Sequence, residues 1–466
     1  MKKYIKYSVL LLLISTIATS CFNDNDDVPR ISSTLEIQEY IYRGLNFWSV
    51  YKADVPDLAN NRFSSDQERI DFLDDFSSPE ELFEALKSSR DRFTVLFSDF
   101  TVLENSLDGI SLNNGMEFSF NAYPNDDTNV FGFVRYVLPG TDAEAKQVKR
   151  GMIFNTVDGQ QMTRSNFREL TAPDSYTIGL ADFDGNVITP NDETIQLTKT
   201  QYTENPVFIA NTLDVGSSKV GYLMYNAFTS DFDPQLNAAF ANFKSEGVTE
   251  FVLDLRYNGG GSIESSKDLS SMITGQFTGD VYSREEYNED RQADFGNIRT
   301  FDTEIRGGQA INSLNLSKVY ILTSPRTASA SELIINSLRP YIQVVQIGTN
   351  TTGKFEGSFI VYDAPEPLFR RSEANSGHKY AMLPLVLRSS NVNGVTDYVD
   401  GLVPDIELRE DLSNAGILGD ENEPLLKAAL DDILGNRSVG NKNIQNINFI
   451  GDSNMFDPTY QRMFVD

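Results

Sequence analysis

KVYILTSPRTASASELIINSLRP, Lys318 to Pro340, decides how this chain folds. KVYILT is an apolar run suited to a buried strand, and ELIINSL has the apolar spacing of a helix. Between them lies a short turn rich in serine, threonine and alanine. Such a turn caps a helix or holds a nucleophile, because a serine at a helix start faces unpaired amides and the positive end of the dipole. Ser329 and Ser331 both qualify.

The same strand–turn–helix rhythm runs outward on both sides. Upstream, KVGYLMYNAF reads as a strand, FDPQLNAAFANFKSEG as an amphipathic helix ending at Gly247, and TEFVLDLRYNGGG as a buried strand running into glycines. Downstream, YIQVVQIGTNTTGKF is a strand and a loop, and NEPLLKAALDDILG is a late helix. Alternation of this kind predicts an α/β layered core. Before it, the pattern from Leu35 to about Leu107 is helical, and SSPEELFEALKSSRDRF opens with a Ser cap and an early Pro. From about Asn113 to Gln201 it changes to short strands and Gly turns, including Asp158-Gly159 and Asp184-Gly185. The expected organisation is a multi-domain α/β (α+β) chain. Its segments are an export signal over 1–21, an acidic tether over 22–34, a helical domain over 35–110, a small β domain over 111–203, a catalytic core over 204–410 and a C-terminal helical extension over 411–466.

Composition limits the function. Asp and Glu number 67 against 39 Lys and Arg, a formal net charge of −28. That field repels phosphate backbones, so nucleic acid is not expected as a partner. One Cys and one His in 466 residues rule out a zinc pattern. No cofactor or metal is expected. MKKYIKY is basic and SVLLLLISTIA apolar but too short to span a bilayer. Ala18-Thr19-Ser20-Cys21 then resembles a bacterial lipobox, in which Cys21 receives lipid. The expected location is therefore the cell envelope, on the periplasmic or outer-surface side of the outer membrane, with membrane contact through Cys21.

The chemistry must do without imidazole. A serine hydroxyl needs a base within reach and donors for the oxyanion. The sole histidine, His378, sits in the polar stretch RRSEANSGHKY and reads as an exposed loop residue. A lysine can replace it if burial removes its charge. Lys354, after the strand VVQIG, stands where the carboxyl edge of the sheet places sites in open α/β folds. The amide of the residue after the nucleophile can donate to the oxyanion, and the NGGG turn can supply a second donor, since a glycine backbone admits close approach.

Two resemblances give these residues roles. Gly115-Met116-Glu117-Phe118, Pro139 to Ala143 and Gly151 to Gly159 resemble a PDZ domain, which adds a peptide as an extra strand and holds its terminal carboxylate on loop amides. Glu117 departs from that pattern by bringing a negative charge to the loop. TASASE, TTGKF, DLRYNGGG and the Asp400 to Asp405 segment resemble the carboxyl-terminal processing peptidases, or tail-specific proteases, over about Asn113 to Leu408. The helical stretch YRGLNFWSVYKADVPDLAN resembles lipoprotein members from Bacteroidetes-type bacteria. This resemblance implies a crotonase-like Ser-Lys peptidase core. Ser329 would be the nucleophile, Lys354 the base, and the amides of Ala330 and Gly260 or Gly261 the oxyanion donors. Substrates would be unfolded or extended polypeptides, cleaved near their C-termini. Many members place Gln four positions after the lysine to orient its amine. Ser358 stands there and is the candidate orienting group. A catalytically inactive peptide binder is the alternative. The sequence leaves the oligomeric state open.

Overall fold

The computed structural model describes residues 31–124, 126–436 and 447–465. The signal-like segment, Cys21 and most of the acidic tether lie outside them.

A six-stranded sheet forms the centre. Its order is Val207–Val215, Ser218–Tyr225, Glu250–Asp254, Lys318–Thr323, Gln343–Gly348 and Ile406–Glu407. The first pair is antiparallel and the rest are parallel. Both faces are covered, which is why these strands read as apolar runs rather than alternating ones. Leu223, Leu253, Val319 and Ile321 face the helices Asp233–Glu246, Ile263–Ile273 and Ala330–Leu338. Their neighbours Tyr222, Val252, Tyr320 and Leu322 face the helix Pro424–Ile433. The predicted α/β layering is therefore present. The helix over 233–246 ends where expected, with Gly247 in the left-handed region at φ 78°.

A second six-stranded sheet runs Gly261–Ser262, Met463–Phe464, Glu356–Ser358, Leu385–Ser390, Val281–Tyr287 and Asn297–Thr300. The region 111–203 folds as a separate antiparallel sheet with the core residues Phe118, Phe120, Val134, Phe154 and Ile178. Its Asp158-Gly159 turn has positive φ at both residues, 49° and 75°. That is the combination an Asp-Gly hairpin turn favours.

Two expectations change. The N-terminal helices form as read. Ser33 caps Thr34–Trp48 with a reciprocal Glu36 bond, and Ser78 caps Pro79–Ala85. They have no core of their own, however. Tyr40, Ile41, Leu45, Trp48 and Leu82 pack on Val361, Met382, Val386 and Leu387. The strand Val95–Phe97 pairs with Ala381–Leu383. The last segment is also more than a helical extension. After Pro424–Ile433 the described chain resumes as two strands, Phe449–Asp452 and Met463–Phe464, in two different sheets. Their apolar pairs are too short to show periodicity and gain order only from distant partners.

Arg256 fixes the carboxyl end of the central sheet. It is 1% exposed, chelates Asp254, and donates to both oxygens of Glu423 at 2.6 and 2.9 Å. Glu423 in turn caps the helix Pro424–Ile433 through the Leu426 amide. Removing one partner of such a buried network leaves an unpaired charge and costs about 3–5 kcal/mol. We expect Glu423→Ala to lower the free energy of urea unfolding by that amount and Glu423→Gln by less. An unchanged midpoint in Glu423→Ala would contradict this account.

Candidate active site

Residues 324–329 link the strand Lys318–Thr323 to the helix Ala330–Leu338. The loop is stitched to the neighbouring strand end. Thr327 Oγ1 donates to the Leu255 carbonyl at 2.8 Å, the Ala328 amide to the Asn258 carbonyl at 3.2 Å, and Ser324 Oγ to the Arg256 carbonyl. Ser331 Oγ is also spent, on the Asn258 carbonyl at 3.1 Å. That separates the two candidate serines. Ser329 sits at φ 60°, ψ −116°, a conformation costing a non-glycine residue about 1–3 kcal/mol. Gly260 makes room for it, since a Cβ there would lie 2.6 Å from Ser329 Cβ.

Glu332 holds the strained residue in place. Its Oε2 accepts from the Ser329 amide and from the Lys354 amide, both at 2.8 Å. Its Oε1 accepts from the Gly353 amide at 2.7 Å and from Thr351 Oγ1. One buried carboxylate therefore ties the two loops together. Burial pushes it up to about 7, against the pull of these donors.

Lys354 is fully buried. Among the described residues its Nζ has no hydrogen-bond partner, and it lies 5.0 Å from the centre of the Phe93 ring. Desolvation holds its pKa well below the ordinary lysine value, and the Arg462 guanidinium pushes it the same way. The carboxylates of Glu356, Asp91 and Glu332 act in the opposite direction. Ser358 is buried nearby on the strand Glu356–Ser358, but its Oγ has no partner either. The orienting bond from Ser358 to the amine is therefore not formed in this arrangement.

Of the oxyanion candidates, the Ala330 amide opens the helix, where intrahelical acceptors are lacking. Gly260 and Gly261 have φ 109° and 135°, accessible in practice only to glycine. The Gly260 amide donates to Asn258 Oδ1 at 2.8 Å. Gly261 lies in register with Met463 of the last strand. Ser329 Oγ donates not to Lys354 but to the carbonyl of Gln461, at 3.3 Å.

The loop Gly115 to Phe118 begins the strand Met116–Tyr123. Its Gly115 and Met116 amides are taken by Asn113 Oδ1 and Asn114 Oδ1, and its Phe118 amide by Ser453 Oγ at 3.2 Å. His378 departs from the exposed-loop expectation. Its side chain is 6% exposed and bonded to Asp363 at 3.1 Å, with Tyr40 and Tyr380 beside it. It anchors the packing of the N-terminal helices.

Sequence reading did not find Gln461, Arg462, Tyr51 or Glu356 at this site. Tyr51 donates to Glu356, whose other oxygen is unpartnered. The Ser-x-x-Glu spacing of Ser329 and Glu332 was the available signal for the clamp. No local signal marks Tyr51, Gln461 or Arg462, which arrive from over 100 positions away.

Comparison with known proteins agrees with this geometry. The S41 peptidase N-terminal domain matches residues 36–95, and the S41 peptidase family matches residues 219–362. The chloroplastic C-terminal processing peptidase of Tetradesmus obliquus is 28% identical over 231 residues, 46% of each chain. The carboxyl-terminal-processing protease of a Picosynechococcus species is 25% identical over 225 residues, 47% of this chain and 49% of that one. The chain thus spans about half the length of these curated relatives. A solved structure from Bacteroides fragilis, assigned as an S41 protease, superposes with a TM-score of 0.68 at 27% identity, over 86% of this chain and 98% of that one. The photosystem II D1 C-terminal processing protease shares the fold at 20% identity and a TM-score of 0.50, over 86% of this chain and 99% of that one. The strained serine and the buried lysine thus lie within residues 219–362, the stretch that matches the S41 peptidase family, and the glycine turn lies there too.

Proposed function

We propose that this protein is a serine endopeptidase that uses a Ser329–Lys354 dyad on extended polypeptides, near their C-termini. The observation that carries the reading is the dry, unpartnered amine of Lys354, roped through Glu332 to the strained serine. A neutral amine can accept the Ser329 proton as Oγ bonds to the peptide carbonyl carbon. The oxyanion then meets the Ala330 amide and a glycine amide of the 259–261 turn. Lys354 next gives the proton to the leaving amine as the C–N bond breaks, and water releases the acyl group by the reverse sequence. In this reading the sheet over 111–203 is a PDZ-like module that aligns substrate. A degenerate peptide binder remains the second reading, favoured by the missing Ser358 contact.

We further propose that the chain is an exported lipoprotein, lipidated on Cys21 and displayed in the cell envelope. The support is the lipobox-like Ala18 to Cys21 and the absence of any other cysteine. Labelling of the expressed protein with a lipid precursor should be lost in Cys21→Ala. Equal labelling would refute the anchor.

Cleavage of an unfolded protein by the chain lacking residues 1–21 should fall by about 10²–10⁴ in Lys354→Ala and to background in Ser329→Ala. Equal cleavage in all three would remove the enzyme reading.

The lysine also sets a pH dependence. Because its pKa is lowered in the fold, the acid limb of kcat/KM should lie well below the ordinary lysine range. The unfolded chain binds this proton more tightly, so the residue costs stability below the ordinary lysine pKa and nothing above it. Lys354→Met should therefore raise Tm at neutral pH while lowering turnover as Lys354→Ala does. A lower Tm in that variant would mean that the amine is charged and paired.

A further inference from the structure

The chain's own C-terminal segment runs from the edge of the 111–203 sheet to the turn that carries Ser329. Phe449–Asp452 adds antiparallel to the edge strand Met116–Tyr123, in register Phe449 with Asn121 and Asp452 with Ser119. The Ser453 amide donates to the Phe118 carbonyl at 2.9 Å, and Ser453 Oγ donates to Glu117 Oε2 at 2.8 Å while accepting from the Phe118 amide. A hydroxyl thus occupies the loop at which a terminal carboxylate was expected. Glu117 explains the substitution, because it repels a carboxylate and accepts from an O–H. The chain then continues past the loop instead of ending there.

Asp452 is fully buried. It pairs with Arg135 of the strand Asp126–Val137 and with Arg326 of the nucleophile's loop, the latter at 3.0 Å, and it accepts from Tyr460. One tail carboxylate therefore joins the 111–203 sheet to the turn that carries Ser329. Farther on, the tail backbone lies on the glycine turn. A Cβ at Gly259 would meet the Gln461 amide at 3.0 Å, and one at Gly260 would meet the Arg462 carbonyl at 2.5 Å. There the Ser329 hydroxyl donates to the Gln461 carbonyl, and the Lys354 amine has no partner. The tail has taken the proton that the base would need. Cavities of 120 and 480 Å³ flank this path, one at the glycine turn and one at the Glu117 loop.

We infer that residues 449–461 are an intramolecular pseudosubstrate, and that the groove they fill recognises an internal Asp-Ser dipeptide in an extended chain rather than a free C-terminus. Asp is read by Arg135 and Arg326, and Ser by Glu117. An extended polypeptide carrying the same pair displaces the tail and frees Ser329. The inference rests on the peptidase reading for its activity readout and stands apart from it for its binding readout. It departs from carboxylate capture because the Gly115 and Met116 amides are already committed to Asn113 and Asn114.

Met463–Phe464 is an inner strand of the second sheet, so truncation would damage the fold, and point variants are the proper test. Asp452→Asn keeps the shape and removes the charge. Ser453→Ala removes only the hydroxyl and leaves the buried ion pairs intact. Each variant should cleave an unfolded protein about tenfold faster than wild type, as expected when an occupied site becomes mostly open. Each should also bind a fluorescent peptide of residues 447–455, INFIGDSNM, which wild type excludes. Amidated and free-acid forms should bind alike, and a peptide with Asp and Ser replaced by Ala should not bind. If the variants bind this peptide but cleave nothing, the groove assignment stands and the peptidase reading fails. If Ser453→Ala neither binds the peptide nor cleaves faster than wild type, the pseudosubstrate is refuted. Preference for the free-acid form would refute internal recognition.

Discussion

The site depends on one buried carboxylate. Glu332 gathers three backbone amides and a hydroxyl from two loops that follow adjacent parallel strands. Without it, the φ 60° conformation of Ser329 would lose its amide's acceptor, and the loop bearing Lys354 would keep only the bonds of Thr352 to the Thr327 and Pro325 carbonyls as its direct ties to the serine's loop. The arrangement also explains why Ser329 sits at the carboxyl edge of the sheet. Only there do two neighbouring strands release loops on the same side, one into a helix and one into the segment 349–355.

The second constraint is dryness. A lysine amine loses its charge only where water and hydrogen-bond acceptors are kept away. Here the Phe93 ring and the carried-over N-terminal layer do that. This gives the N-terminal helices a part in building the candidate site. They share their core with strands 361–387, and Tyr51 from the same region engages Glu356 close to the lysine. The matched N-terminal domain is thus one wall of the site rather than a separate appendage.

Much of this could be read in the sequence because it is local. The strand-turn-helix at Lys318 to Leu338, the Gly247 stop, the Ser78-Pro79 helix start and the Asp158-Gly159 hairpin follow from propensities within a few residues. The pairing of Ser329 with Lys354 came through a family resemblance, since no periodicity connects two loops. What could not be read is long-range. Nothing in NFIGDS announces an edge strand for a sheet over 300 residues upstream, and nothing in QRMF announces a seat beside the nucleophile. His378 reads as an exposed loop residue for the same reason, although its side chain is buried, because its partners Asp363 and Tyr40 come from elsewhere.

The tail and the dyad are two answers to one electrostatic problem. A buried amine whose charged form is disfavoured, on a loop tied to that of a buried hydroxyl, is the kind of pair that can react with a carbonyl. Leaving that pair open would, on the peptidase reading, expose any extended chain that reaches it to cleavage. Placing Gln461 on the hydroxyl takes up its donor without disturbing the desolvation of the lysine, and Arg462 adds a positive charge that further disfavours the charged amine. The occupied site is thus silent but already assembled. Opening it requires no rebuilding of the oxyanion turn or the Glu332 clamp, only exchange of one extended segment for another along the same edge strand. The cost of that exchange is set by Asp452, the one buried charge the tail contributes to both sheet and loop.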